Sequence, residues 1–149
     1  MTQTTTYVNA CDASVWLDNS AGTITDISGS SNNVTMEFIQ VIGELSTYQQ
    51  KWPVRLSCRK DATFTLNAVY STTADEAVDI LNDWFFATSP GLKTFTVYVP
   101  TKNVGSDKYS GEVVLESLSI PVSADEASPI PVTAVLRPSG AWTRTVNAT

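Results

Sequence analysis

Residues 62–70 read Ala-Thr-Phe-Thr-Leu-Asn-Ala-Val-Tyr, with Phe64, Leu66, Ala68 and Tyr70 falling on one side and Thr63, Thr65 and Asn67 on the other. A period of two held over this length is the pattern of a strand with one face buried and one face open. The same alternation runs through 33–40, where Val34, Met36 and Phe38 oppose Asn33, Thr35 and Glu37. Working outward, 14–18, 54–59, 93–99, 109–122 and 130–137 also read as strands, and 141–149 can add an edge strand. Turn material separates them: Asn19-Ser20-Ala21-Gly22, the stretch 26–33, Lys60-Asp61, Asn103-Val104-Gly105-Ser106, Ser123-Ala124-Asp125-Glu126 and Ser139-Gly140.

One segment breaks the period. Thr73 and Glu76 stand at capping-box spacing, and Ala74, Ala77, Val78, Leu81, Trp84 and Phe85 then recur on one helical face. Ser89-Pro90-Gly91 ends the pattern, which predicts a helix over about 73–87. Residues 41–53, Val-Ile-Gly-Glu-Leu-Ser-Thr-Tyr-Gln-Gln-Lys-Trp-Pro, lose the alternation and read as a long loop. The expected fold is mainly β: an antiparallel β-sandwich or partly closed barrel with one packed α-helix. The 149 residues make a single domain whose first ten or so residues, Thr-rich and without an apolar run, are flexible and are neither signal peptide nor membrane span.

Composition narrows the chemistry. Only 16% of residues are charged, against about 25% in an ordinary globular chain, and Ser, Thr and Asn take their place. The net charge of −6, with no basic cluster longer than Arg59-Lys60, does not suit tight binding to a phosphate backbone. There is no His, so the commonest general base is missing, and no nucleotide-binding or nucleophile-elbow motif occurs. Cys58 lies near Arg55, Arg59 and Lys60 but has no His partner, and Cys11 and Cys58 read as free thiols by default, with a bridge between them left open by the sequence. Asp75, Asp79 and Asp83 form an i, i+4, i+8 row that reads as the solvated side of the helix. No catalytic, metal or cofactor site is expected. Of the four Trp, Trp84 belongs to the helix core and Trp16 to the first sheet. Trp52 and Trp142 stand where loops and edges are expected, as subunit contacts or as plugs at the ends of the sandwich.

The final third carries a resemblance. Residues 109–140, Tyr-Ser-Gly-Glu-Val-Val-Leu-Glu-Ser-Leu-Ser-Ile-Pro-Val-Ser-Ala-Asp-Glu-Ala-Ser-Pro-Ile-Pro-Val-Thr-Ala-Val-Leu-Arg-Pro-Ser-Gly, run from a Gly-started strand through an acidic loop to a last strand ending in Ser-Gly. This layout, with the helix position and the long 41–53 segment, is similar to that of the tail tube proteins of long-tailed bacteriophages. The resemblance implies a non-enzymatic virion protein, made in the bacterial cytoplasm, that forms six-membered rings stacked into a hollow tube. Its partners would be further copies of itself and other tail proteins such as the tape measure and the terminator, with DNA passing through unbound and no membrane involved. The inner tube of the type VI secretion system is a related architecture.

Under that reading the lumen should be polar and negatively biased, since a conduit should not grip its cargo. Thr35, Glu37, Thr63, Thr65, Asn67, Glu112 and Glu116 are the candidates for lining it. Leu45, Tyr48, Trp52 and Trp142 are the candidates for contacts between subunits. Rival expectations are another virion β-sandwich, such as a connector, decoration or tail terminator protein, and a small carbohydrate- or ligand-binding sandwich.

Overall fold

The computed structural model describes residues 8–89, 91–125 and 127–148. Most of the N-terminal segment expected to be flexible, together with Pro90 of the helix stop and Glu126 of the acidic loop, lies outside them. Strands β1 (Ser14–Asp18), β2 (Ile24–Asp26), β3 (Ser31–Leu45) and β4 (Val54–Val69) precede helix α1 (Ala77–Phe86). Strands β5 (Lys93–Val99), β6 (Asp107–Ser119), β7 (Pro131–Pro138) and β8 (Thr143–Val146) follow it.

All eight strands join one antiparallel sheet in the order β2-β1-β5-β6-β7-β4-β3, with β8 paired to the start of β6. Of the two expected forms it is the partly closed barrel rather than two stacked sheets. Phe64 on β4 and Phe95 on β5 show why. Two strands separate them, about 14 Å in a flat sheet, yet their rings lie 5.6 Å apart. The sheet therefore curls, and its concave face holds the core. Leu17, Phe64, Leu66, Phe95, Val97, Val113, Val132, Ala134 and Leu136 are buried there against Val78, Leu81 and Trp84 of α1. The helix closes the open side, and Trp84 Nε1 donates to the Asp18 carbonyl at 2.8 Å.

The strand bounds differ most from expectation in three places, and β6, expected over 109–122, runs over Asp107–Ser119. Lys60-Asp61 is not a turn; β4 runs straight through it, pairing with Ile39 and Gln40. Residues 41–45 are not loop but continue β3, so the connection shrinks to 46–53. Ile24–Asp26, assigned to no strand in the sequence and with Asp26 read as turn, forms the short edge strand β2 on β1.

The helix also starts later, at Ala77, and the Thr73–Glu76 capping box does not form. Glu76 is the N-cap residue and makes no side-chain cap. Two other groups take over: Asp79 Oδ2 accepts from the Asp75 N–H at 2.9 Å, and Ser30 Oγ accepts from the Ala77 N–H at 3.0 Å. Asp75, at φ 60°, thus belongs to the turn before the helix, and the carboxylate row is broken. Asp79→Ala should cost about 1 kcal/mol, a fall in Tm of about 3 °C, read by thermal and urea unfolding. An unchanged Tm would mean that Ser30 alone holds the helix start.

Candidate assembly surfaces

The convex face of the sheet gathers the polar residues. Antiparallel partners share a face, and the register pairs Thr35 with Thr65, Glu37 with Thr63, Asn67 with Thr133 and Thr94 with Glu112. Glu116 sits at a register shift in β6 and meets Arg137 on the same side. All seven lumen candidates therefore lie together, opposite the core. Hydrogen bonds tie them across strands: Thr133 Oγ1 donates to Asn67 Oδ1 at 2.9 Å, and Thr94 Oγ1 to Glu112 Oε1 at 2.8 Å.

Arg137 is the residue that sequence reasoning missed: it ends the expected strand 130–137, and nothing in that stretch marks Thr63 and Glu116 as its partners. Its Nε donates to Glu116 Oε2 and its Nη1 to Thr63 Oγ1, both at 2.8 Å. The hydrogen bond to Glu116 and then that residue's charge hold the guanidinium above its ordinary pKa, with Asp61 and Glu37 adding to the effect. It is a cation at every working pH, so Glu116 is matched, while Glu37 and Asp61 leave this quarter of the face acidic. The opposite quarter is different. There Lys102 Nζ stands 4.1 Å from the Trp16 ring centroid and Lys108 Nζ 5.8 Å from that of Tyr98. Trp16, expected in the core, is half-buried on this convex side.

A second surface is an arm. From Glu37 to Asp61 every residue except Pro53 is exposed, so the distal halves of β3 and β4 form a two-stranded hairpin paired with no other strand. It bears Ile39, Val41, Ile42, Leu45, Val54 and Leu56, with Tyr48 and the 83% exposed Trp52 at its tip. A Glu44–Arg55 ion pair at 3.5 Å is exposed and adds little. Three of the contact candidates, Leu45, Tyr48 and Trp52, are thus on the arm. The fourth is not. Trp142 lies in the chain's own aromatic cluster, 4.2 Å from Phe64 and 5.8 Å from Phe95 between ring centroids. It plugs the open end of the half-barrel.

Between the arm's base and the segment leading into β8 is a concave cup of about 630 Å³, lined by Phe38, Ile39, Ala62, Pro138, Ala141 and Trp142 among others. Phe85, expected to face inward, instead stands out from the helix end beside Phe86, the two rings edge to face at 5.2 Å. Ile80 takes its place among the buried residues.

No protein-family model matches the sequence, and no curated protein does. Solved structures do match, over nearly the whole chain. A subunit of the tail of an empty gene transfer agent particle, refined with C6 symmetry, superposes with TM-score 0.72 at 16% identity, covering 93% of this chain and 98% of the other. A subunit of the SPP1 tail tube gives 0.71 at 14% identity over 96% and 81%. One from the sheath–tube complex of the PVC extracellular contractile injection system gives 0.70 at 11% identity over 94% and 92%. Identities this low speak for architecture alone, and in architecture the chain carries the tail-tube fold.

Proposed function

We propose that this chain is a structural tail tube subunit, assembling into six-membered rings that stack into a hollow tube in the tail of a phage or phage-like particle. The observation that carries the reading is the arm: a hairpin exposed on both sides and set with large apolar residues, in a chain of tail-tube fold. Apolar surface of that extent marks a place that another protein covers. The sheet supports the same reading. Its end strands, β2 and β3, each present an edge with no partner among the described residues. Closing such edges around a ring removes the pairing hazard of an open sheet.

In the ring the convex polar face lines the channel, so Glu37, Asp61 and Glu116 repeat as circles of carboxylate with Arg137 between them. The lining is acidic but not uniformly so, which suits a conduit through which a genome passes without binding. The tape measure and terminator are the further tail partners of this reading. Negative-stain electron microscopy of the purified protein tests it: hollow tubes are expected. Single rings that never stack would favour a connector or terminator, and monomers at high concentration would remove the self-assembling subunit. The channel assignment has its own test. Glu37→Lys with Glu116→Lys should leave tubes of normal length but lower DNA delivery about tenfold or more, since rings of added positive charge hold a polyanion. Normal delivery would take these residues off the lumen.

A further inference from the structure

We infer that Lys102 and Lys108, seated on the rings of Trp16 and Tyr98, are where the channel lining touches the phosphate backbone of the passing DNA. This rests on the tube reading and deepens it by naming the residues that meet the cargo. Trp16 and Tyr98 alternate with the core residues Val15, Leu17 and Val97, so both stand on the convex polar face. Their rings meet edge to face at 6.3 Å. Lys102 Nζ lies 4.1 Å from the Trp16 ring centroid and Lys108 Nζ 5.8 Å from that of Tyr98. Neither ammonium is paired with a carboxylate among the described residues. The acids of the neighbouring strands are engaged elsewhere. Asp26 accepts from Ser28, Asp18 from the Thr94 N–H, Glu112 from Thr94 Oγ1, and Asp107 pairs with Arg144.

A surface lysine ordinarily trails its ammonium in water on a flexible stem. A ring beneath it fixes the charge in position without neutralising it, as a carboxylate partner would. Much of the side-chain ordering that a phosphate contact requires is then already in place. Arg137 is different, because Glu116 matches it. The quarter formed by β1, β5 and β6 therefore offers held but unmatched positive charge, which fits a polyanion, and on the proposed channel face the polyanion is DNA. One contact per lysine gives only a weak, salt-sensitive attraction. Glu37 and Asp61, on the other quarter, repel the same backbone. Around a ring, stripes that attract thus alternate with stripes that repel, and a duplex is touched and released rather than held.

Fluorescence anisotropy of a labelled short DNA duplex, titrated with the purified protein at low salt, tests this. Binding is expected, with log K falling against log salt at a slope of about −2, one unit per lysine. Lys102→Gln with Lys108→Gln should weaken it about tenfold or more. Both side chains lie outside the core, so the fold is kept. Lys51→Gln with Lys60→Gln removes the same charge from the arm and should weaken binding by about twofold or less. Equal losses in the two variants would mean that overall charge alone acts, and would overturn the site. Polyglutamate that displaces the duplex at a lower concentration of charge would assign the stripe to an acidic protein segment and overturn the DNA contact. Electron microscopy of the same samples separates the two readings. Tubes without duplex binding, or with none lost in the Lys102, Lys108 variant, leave the tube reading standing and remove the contact. If the loss appears but the wild type forms no tubes, the phosphate site stands and the tube reading falls. Neither tubes nor binding would overturn both.

Discussion

Gly111→Ala is expected to lower the unfolding free energy by about 3 kcal/mol, although it adds one methyl group to a strand. A Cβ at residue 111 would lie 2.6 Å from Trp142 Cδ1 and Nε1 and 2.8 Å from Cε2, so the indole lies flat against the bare glycine backbone. The clash is with the rigid body of a ring, which cannot swing aside as a lysine tip would. Either β6 shifts away from β5, or Trp142 leaves the cluster. The second route is the cheaper, and it has a definite cost. Trp142 would lose Phe64, Phe95 and Phe38 as ring neighbours and its Nε1 bond to the Glu112 carbonyl at 3.3 Å. That amounts to truncating a large aromatic.

The two sites should therefore be strongly non-additive. Trp142→Ala alone should cost about 3 kcal/mol, and Gly111→Ala introduced into it should cost under about 1 kcal/mol, because nothing remains to collide with. Denaturant unfolding of the four proteins closes the cycle. Additive losses would show that Gly111 is required for its backbone and not for the space it leaves.

These cases show what was legible in the sequence. β5 was readable to the residue because Lys93–Val99 is flanked by Gly91 and Pro100, and β4 beyond Ala62 because one of its faces is buried. Alternation is a record of burial, and a strand exposed on both faces leaves none. That is why 41–45 looked like loop and why the arm was invisible as an arm. The seven polar candidates could be grouped by parity alone, but parity labels two faces without saying which is concave. The Phe64–Phe95 approach decides that, and it depends on curl across four strands. Contacts distant in sequence were silent in the same way: Ser30 holding the start of α1, Arg137 bridging Thr63 and Glu116, and Trp142 sealing the end of the barrel. The capping-box spacing misled because Thr and Glu three apart are common, while Ser30 and Asp79 together satisfy the helix N-terminus.

Deleting residues 44–51 is expected to abolish tubes completely while leaving the subunit folded. The register makes the cut clean. Gly43 pairs with Leu56, so removal of 44–51 leaves residues 52–55 to connect them, a four-residue link within the common range for hairpins. The deleted residues are all exposed and contribute nothing to the concave core, so Tm should move by no more than about 3 °C. Solubility should rise, because Leu45 and Tyr48 leave with them. Sizing chromatography and electron microscopy at matched concentration read the outcome. The prediction separates the arm's two conceivable roles. An arm that served only to stabilise its own subunit would, when shortened, give a less stable protein that still polymerised. An arm whose tip joins copies gives a stable monomer that cannot. Trp52→Ala should reproduce the second result in weaker form, shortening tubes or raising the concentration at which they appear. If the deletion variant still forms tubes of normal length, the tip is not the joint between copies, and the copies must join through the sheet edges and the Phe85–Phe86 end of the helix instead.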